Sequence, residues 1–346
     1  SEFNNIKIMK QRRNGYMRII TSANQKGGCG KTTTAINLSS SLALKGKRVL
    51  LIDFDPQSHA TMGLNVMPSD LEKTIYDVIT PKQDGDLRLD DILIPIKDNF
   101  DLAPSNVILS LVEQELAGLN GREDHLFNAI RDLEGIYDYI VIDCPPSIGH
   151  LCFNALRAAD EVIIPIDMSL FSLRGVAKLT EIIVMLNEKL DREIKSRALI
   201  TMYDARTRYS EIVLDKVKSE FGKHVFETVI RYNIRLRESV DYGQPVGDYD
   251  KHAIGHIDYE NLAEELIRSD TADACQSLDT PGSANEILQK TEGFMAPSSR
   301  QVSTEYGYTS QDKTTYDSPE SSFSEMVEAI AANPSAYSFS DPDENY

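Results

Sequence analysis

Four cysteines, Cys29, Cys144, Cys152 and Cys275, are the whole thiol content of 346 residues, and no two of them form a CxxC pair. That spacing indicates neither a zinc site nor a disulfide framework. A reducing cytosol is the expected surrounding. No run of eighteen apolar residues occurs, and no charged start, apolar middle and small-residue cleavage site marks a signal peptide, so neither a membrane span nor export is expected. No Ser-His-Asp constellation and no paired general acid and base suggest acyl or glycosyl chemistry. Basic residues are also scarce: 36 Lys and Arg stand against 54 Asp and Glu, for a net charge of -18. Phosphate neutralisation rests on Lys and Arg, so this balance argues at first against a nucleic-acid partner. What is present is enough apolar material, 41% of residues, for a well-buried core without staples.

The charge is unevenly spread. Residues 271–346 hold 13 acids and 3 bases, and residues 238–270 hold 9 and 2, whereas residues 189–237 hold 7 acids and 12 bases. One segment is locally basic in an acidic chain. Apolar, β-branched runs at 17–23, 48–54, 139–144, 161–166 and 197–202 predict buried strands. The spacing at 32–45, 107–119, 123–133, 151–159, 172–190, 209–220 and 259–268 predicts helices between and after them. This alternation predicts an α/β fold, a doubly wound, mostly parallel sheet flanked by helices, with no internal repeat. Ligands in such folds sit at the carboxyl ends of the strands, which directs attention to the loops after 23, 53 and 143. Residues 1–16 are polar and patternless and are expected to be a disordered leader or vector remnant, with one domain over 17–270. Residues 271–346, rich in Ser, Thr, Asp, Pro and Tyr, are expected to form an acidic, largely disordered tail. Within it Phe323, Met326, Val327 and Ile330 fall on one face of a short helix at 322–332, stopped by Pro334.

"NQKGGCGKTTT" (24–34) follows the first strand and opens the first helix, the context a phosphate-binding loop needs. Gly27, Gly28, Cys29 and Gly30 let backbone N-H groups face phosphates, and the helix N-terminus adds partial positive charge, with Thr32 and Thr33 opening the helix. Lys31 is placed to bridge terminal phosphates, and the Thr32 hydroxyl to meet Mg2+. The common GxxxxGK[ST] pattern does not fit, because Gln25 stands where its first glycine belongs. The pattern is instead KGGxGK[ST], with a second lysine, Lys26, at its head. A glycine-rich turn with an incidental lysine is the plain alternative.

This loop resembles the deviant Walker A motif of the ParA/Soj/MinD group of ATPases. Further stretches resemble the Soj-type ParA pattern over Met17 to about Arg268: "LLIDFDPQSHAT" (50–61), "YDYIVIDCPPS" (137–147), "NALRAADEVIIPI" (154–166), "TMYDART" (201–207) and "VFETVI" (225–230). The resemblance implies a slow ATPase, stimulated by a partner, that uses ATP and Mg2+ and forms an ATP-dependent sandwich homodimer. In it Lys26 would reach the partner subunit's phosphates, a cation supplied in trans. It also implies that Asp55 positions the attacking water, that Asp53 acts near Mg2+ and that Asp143, ending an apolar strand, is the Walker B acid. A plain loop-capping or strand-end role is the alternative for each. Arg206, Arg208, Arg235 and Arg237 in the basic segment would bind duplex DNA without sequence preference, through phosphates. Asn233 would face the adenine. Where the family reads close to "PRNVRLSEAPS", this chain has "RYNIRLRESVD" (231–241), so Arg231 replaces a proline and Tyr232 an arginine.

The implied function is partition of chromosome or plasmid DNA in the cytoplasm, on the nucleoid, with a ParB-like partner or other cargo adaptor. A ParA-like machine positioning a protein cargo such as a microcompartment or chemotaxis cluster, or a MinD-like division regulator, is the alternative. With about 16 residues before the first strand, an N-terminal helix-turn-helix domain is not expected. An acidic tail with three bases is expected to avoid anionic lipid, so no membrane partner is expected. It could compete with DNA for the basic segment, offer a helix to a partner, or merely solubilise. The nitrogenase iron protein shares the deviant loop, but Cys144 lacks the second cysteine a bridging cluster needs.

Overall fold

The computed structural model describes residues 17–80, 87–169, 172–190 and 192–275. The expected leader and the tail beyond Cys275, with its 322–332 segment, lie outside the described residues. In chain order the elements are β1 (Arg18–Ser22), α1 (Lys31–Leu44), β2 (Val49–Asp53), α2 (His59–Met62), α3 (Ile75–Ile79), β3 (Ile94–Lys97), β4 (Phe100–Ala103), α4 (Val112–Glu115), α5 (His125–Arg131), β5 (Tyr139–Asp143), α6 (His150–Ala158), β6 (Glu161–Ile166), α7 (Ser172–Leu190), β7 (Lys195–Ile200), α8 (Arg208–Phe221), α9 (Arg235–Asp241), α10 (Val246–Tyr249) and α11 (Ile254–Cys275). The seven strands lie in the order β3-β4-β2-β5-β1-β6-β7. All neighbours are parallel except β3 and β4.

Strands buried on both faces need apolar residues at successive positions, and β2 and β5 show how they divide. Leu50, Ile52, Ile140 and Ile142 face one core, with α3, α5, α6, α7 and α8 over it. Val49, Leu51, Tyr139 and Val141 face the other, under α1 and α11. The parallel register sets Ser22, Asp143 and Asp53 side by side at the carboxyl ends of β1, β5 and β2. Three polar side chains thus converge at one point because three strands stop together.

Three elements differ from the sequence expectation. The β3–β4 hairpin carries no strand signal, because its arms are four residues long, contain Pro95 and turn at Asn99 with φ +62°. The helix predicted over 107–119 is a 3-10 turn over Val107–Leu111 followed by the single turn of α4. Its buried Leu109, Val112 and Leu116 supply the helical spacing, but Gly118, at φ +76°, ends it. The last helix, predicted over 259–268, runs Ile254–Cys275 and so crosses residue 270. Periodicity marks its apolar buried stretch, Tyr259 to Leu266, and misses its first turn, where the buried residues are Gly255, His256 and Asp258 and carry no apolar signal.

At the amino ends of the strands a charged cluster joins four of them to α11. Glu161, wholly buried at the start of β6, accepts from Arg18 and Arg197, each at 2.5 Å. Arg18 and the Tyr139 hydroxyl also bond Asp270 near the end of α11. Burial alone would raise the Glu161 pKa, but Arg197 and Arg18 outweigh it and hold it below its ordinary value. A carboxylate with a depressed native pKa stabilises fully above its unfolded value, and loses that contribution as the pH falls through the native one. Glu161→Gln is therefore expected to cost about 3 kcal/mol in urea unfolding at pH 7, because it removes the one wholly buried carboxylate that Arg18 and Arg197 share, leaving them only their more exposed partners Asp270 and Glu265. The deficit should shrink as the pH falls below the ordinary carboxylate range and through the depressed native value; equal stability at pH 7 would rule out this role.

Candidate nucleotide site

The loop between β1 and α1 is held in shape before any ligand is considered. Asn24 donates to the Pro165 carbonyl at 2.6 Å and accepts from the Lys26 N-H at 3.1 Å. Gly28 and Gly30 take φ +72° and +96°, left-handed backbone that other residues resist. Gly30 is the residue before α1, so its conformation turns the chain directly into the helix. Nothing in the protein lies within 4 Å of where side chains on Gly27 or Gly28 would begin, leaving an open cradle above backbone amides. Cys29 points the other way: its thiol is buried, donates to the Lys26 carbonyl and is raised in pKa by that burial, while its own carbonyl accepts from Thr201. It is a filler beneath the loop, not a nucleophile.

Lys31 is buried and its Nζ donates to the Lys26 carbonyl at 3.1 Å, folded across the loop. Lys26 is held too. Its Nζ sits 2.7 Å from Asp167 Oδ2 and 2.7 Å from Ser169 Oγ, just past the end of β6 of the same chain. These two partners escaped the sequence reading. The available signal was an acid at the carboxyl end of another parallel strand, but no motif marks it.

Asp143 occupies the centre. Both of its oxygens are buried, and neither accepts a hydrogen bond of ordinary geometry, although the Thr32 hydroxyl lies near enough to favour the charged form. Its pKa is pushed well above the carboxylate range, by burial first and then by the Asp53 carboxylate beside it, against the pull of Thr32 and Lys31. Asp53 is satisfied by contrast: it accepts from the Thr61 N-H at 2.7 Å, the Thr61 hydroxyl at 2.6 Å and the Asp55 N-H at 3.2 Å. Burial nevertheless raises it to about 6. Asp53 therefore holds the β2–α2 loop, as the capping alternative has it, while adding negative charge to the centre. Asp55 is buried next in line, with one oxygen on the Gln57 N-H at 2.9 Å. Ser105 ties the same loop from below: its hydroxyl donates to the Asp55 carbonyl at 2.8 Å and its N-H donates to the Thr61 hydroxyl at 3.0 Å.

An orphaned buried carboxylate beside a hydroxyl and an ammonium fits a cation that arrives with its own oxygen ligands. Among the described residues no group of three or more His, Cys, Asp or Glu could hold a metal alone. Phosphate oxygens and water would have to complete the shell, as magnesium prefers. Thr32 and Asp143 are the residues placed to hold it.

The remaining candidates stand apart, past the end of β7. Segments 202–212 and 231–237 run side by side: the Tyr203 N-H donates to the Ile230 carbonyl, and the Tyr232 N-H to the Tyr203 carbonyl. Arg206, Arg208, Arg235 and Arg237 are all exposed there. Asn233 is half-buried and caps α9, accepting from the Arg235 N-H at 2.8 Å. Arg231 turns inward and clasps the buried Asp258 of α11 through its backbone N-H and its guanidinium. The residue that replaces a proline is thus a structural anchor and not part of the exposed basic face.

A family profile described as an AAA domain matches residues 17–196. The chain is 40% identical over 250 residues to the sporulation initiation inhibitor protein Soj of Bacillus subtilis, covering 72% of this chain and 98% of Soj. It is 40% identical over 256 residues to the chromosome partitioning protein ParA of Myxococcus xanthus, covering 73% and 89%. Among solved structures it is similar to cobyrinic acid a,c-diamide synthase from Mycobacterium smegmatis with bound ADP and magnesium, with a TM-score of 0.64, 30% identity, and 77% and 98% of the two chains covered.

The orphaned carboxylate yields a test. Asp143→Asn replaces a buried acid whose ionisation is opposed by burial and by Asp53 more than it is favoured by Thr32 and Lys31, so in EDTA at pH 8 it is expected to stabilise the protein by about 1–3 kcal/mol. The same variant should lose most of the thermal stabilisation that magnesium and ATP give the parent. A variant less stable than the parent in EDTA would show that Asp143 has a protein partner after all.

Proposed function

The chain belongs to the ParA and Soj family of P-loop ATPases, and from that premise we propose that it hydrolyses ATP slowly to drive a cycle of dimerisation and DNA binding that partitions chromosome or plasmid DNA. Magnesium, bound with the nucleotide, would neutralise phosphate charge. Gly27 to Thr33 cradle the phosphates, Lys31 binds the terminal ones, and Asp143 and Thr32 hold the ion. Asp55 orients the attacking water, and Asp53 keeps the Asp55 loop in place through Thr61. Asn233 lies toward the adenine side.

The observation that carries this reading is the second lysine and what holds it. Lys26 is neutralised by Asp167 in the single chain, and a half-exposed ion pair of this kind is worth little. A γ-phosphate presented by a second copy is a stronger, doubly charged acceptor, so exchange of Asp167 for phosphate favours the ATP-bound sandwich and not the ADP-bound one. Nucleotide state then sets assembly state. Two copies also double the basic faces at Arg206, Arg208, Arg235 and Arg237, which multiplies phosphate contacts with duplex DNA. A ParB-like partner or another cargo adaptor would complete the site and trigger release. No helix among the described residues is long and apolar enough to cross a membrane, and the cycle runs in the cytoplasm on nucleoid DNA.

Lys26→Ala is expected to abolish ATP-dependent dimers in light scattering while nucleotide binding persists; an unchanged dimer would refute the trans role. Asp55→Ala should trap the dimer and bind random-sequence duplex with ATP but not ADP. In that background Arg235→Ala should weaken binding at least tenfold and lower the salt slope by about one. Binding that is the same with ADP, or indifferent to Arg235, would overturn the DNA-riding cycle.

A further inference from the structure

The face beyond β7 has a composition that duplex DNA alone does not explain. Its arginines are interleaved with large exposed apolar groups: Tyr232 is 59% exposed, Ile212 56%, Tyr209 50% and Ile234 48%. Phosphates need the cations, but Ile212 and Ile234 offer them nothing. The arginines already hold carboxylates, Arg206 on Asp204 and Arg235 on Glu238, each at 2.7 Å. Pairs this exposed contribute little, so another carboxylate can replace them at small cost. A basic, apolar face that accepts carboxylates matches an acidic amphipathic segment.

The same chain contains one. From residue 314 to 346 there are seven acids and no base, and Glu325 and Glu328 alternate with Phe323, Met326, Val327 and Ile330. The length of the intervening chain fits. α11 begins beside this face, where Asp258 meets Arg231, and ends on the side of the strands' amino ends, where Asp270 meets Arg18. Twenty-two helical residues span about 33 Å. Residue 322 lies 47 residues beyond Cys275, and a flexible chain of that length has a root-mean-square reach of about 38 Å. Span and reach agree, the condition under which a tethered segment has its highest effective concentration, in the millimolar range. The Soj and ParA relatives are matched over 250 and 256 residues, 98% and 89% of their lengths, so this segment lies outside most of what they share with the chain.

We propose that residues 317–332 dock on the face formed by 202–212 and 231–237 of the same chain, pairing Glu320, Glu325 and Glu328 with its arginines and seating Phe323 and Ile330 on its exposed apolar groups. Because this is the face assigned above to duplex DNA, the tail competes with DNA, and that consequence rests on the DNA-binding reading. The docking itself does not.

The test is hydrogen exchange on the full chain, without DNA, comparing the parent with Glu320→Gln/Glu325→Gln/Glu328→Gln and, separately, with Phe323→Ser. Docking predicts that amides of 203–212 and 231–241 exchange at least threefold faster in both variants, independent of protein concentration. Random-duplex affinity with ATP should rise at least fivefold in the triple variant. Unchanged exchange in both variants overturns the proposal, as does protection that grows with protein concentration, which would assign the face to a second copy. Faster exchange with no DNA binding in any variant leaves the docking intact and removes the DNA reading instead.

Discussion

A buried carboxylate with no hydrogen-bond partner is the feature around which this protein is arranged. Asp143 ends β5 in the middle of the sheet, where its two oxygens are buried and no side chain of the described residues makes a well-formed hydrogen bond to them. An uncompensated charge there would weaken the fold, and the chain tolerates it because everything nearby is over-determined. Asp53 is pinned three ways by Thr61 and Asp55, the phosphate loop is fixed by Asn24, Thr201 and two left-handed glycines, and the strand ends are set by five-residue parallel ladders. The free energy withheld from stability at this point is available to a cation and its phosphates. Strain stored in this way makes affinity, because the bound state repairs a defect of the free one.

Lys26 shows the same logic on a smaller scale. It is not left to wander in solvent; it is parked on Asp167 and Ser169. A parked cation loses less side-chain freedom when it changes partner than one taken from bulk water. In the proposed cycle its exchange would be governed by the difference between two acceptors, a carboxylate and a phosphate, so that gain or loss of a single phosphoryl group would decide which one it holds.

Much of this could be read in the sequence, and the limits are physical. The phosphate loop was legible because its residue types are demanded by backbone shape and charge together, and the parallel core was legible because strands buried on both faces must be continuously apolar. Asp143 could be placed at a strand end, but not its lack of partners, which depends on what neighbouring strands bring. Asp167 was invisible because an acid in a short loop has no local pattern. The direction of Arg231 was also beyond the sequence, since only packing reveals that Asp258 waits four residues into α11. The β3–β4 hairpin was missed because four-residue arms sit below the length at which alternation can be detected.

That hairpin has a wider consequence. β3 runs antiparallel to its neighbour, carries Pro95 and Lys97, and slips register between them. Each of these spoils a strand as a template for another chain. At the far side, β7 is met at Ala198 by Val225, and the chain beyond it is met at Tyr203 by Arg231. With both borders of the described sheet blunted, edge-to-edge strand pairing between copies is disfavoured. Encounters between them are channelled to the loop-bearing rim and the helical flanks, and a rim that pairs with itself about a two-fold axis closes after two copies and cannot grow into a fibre.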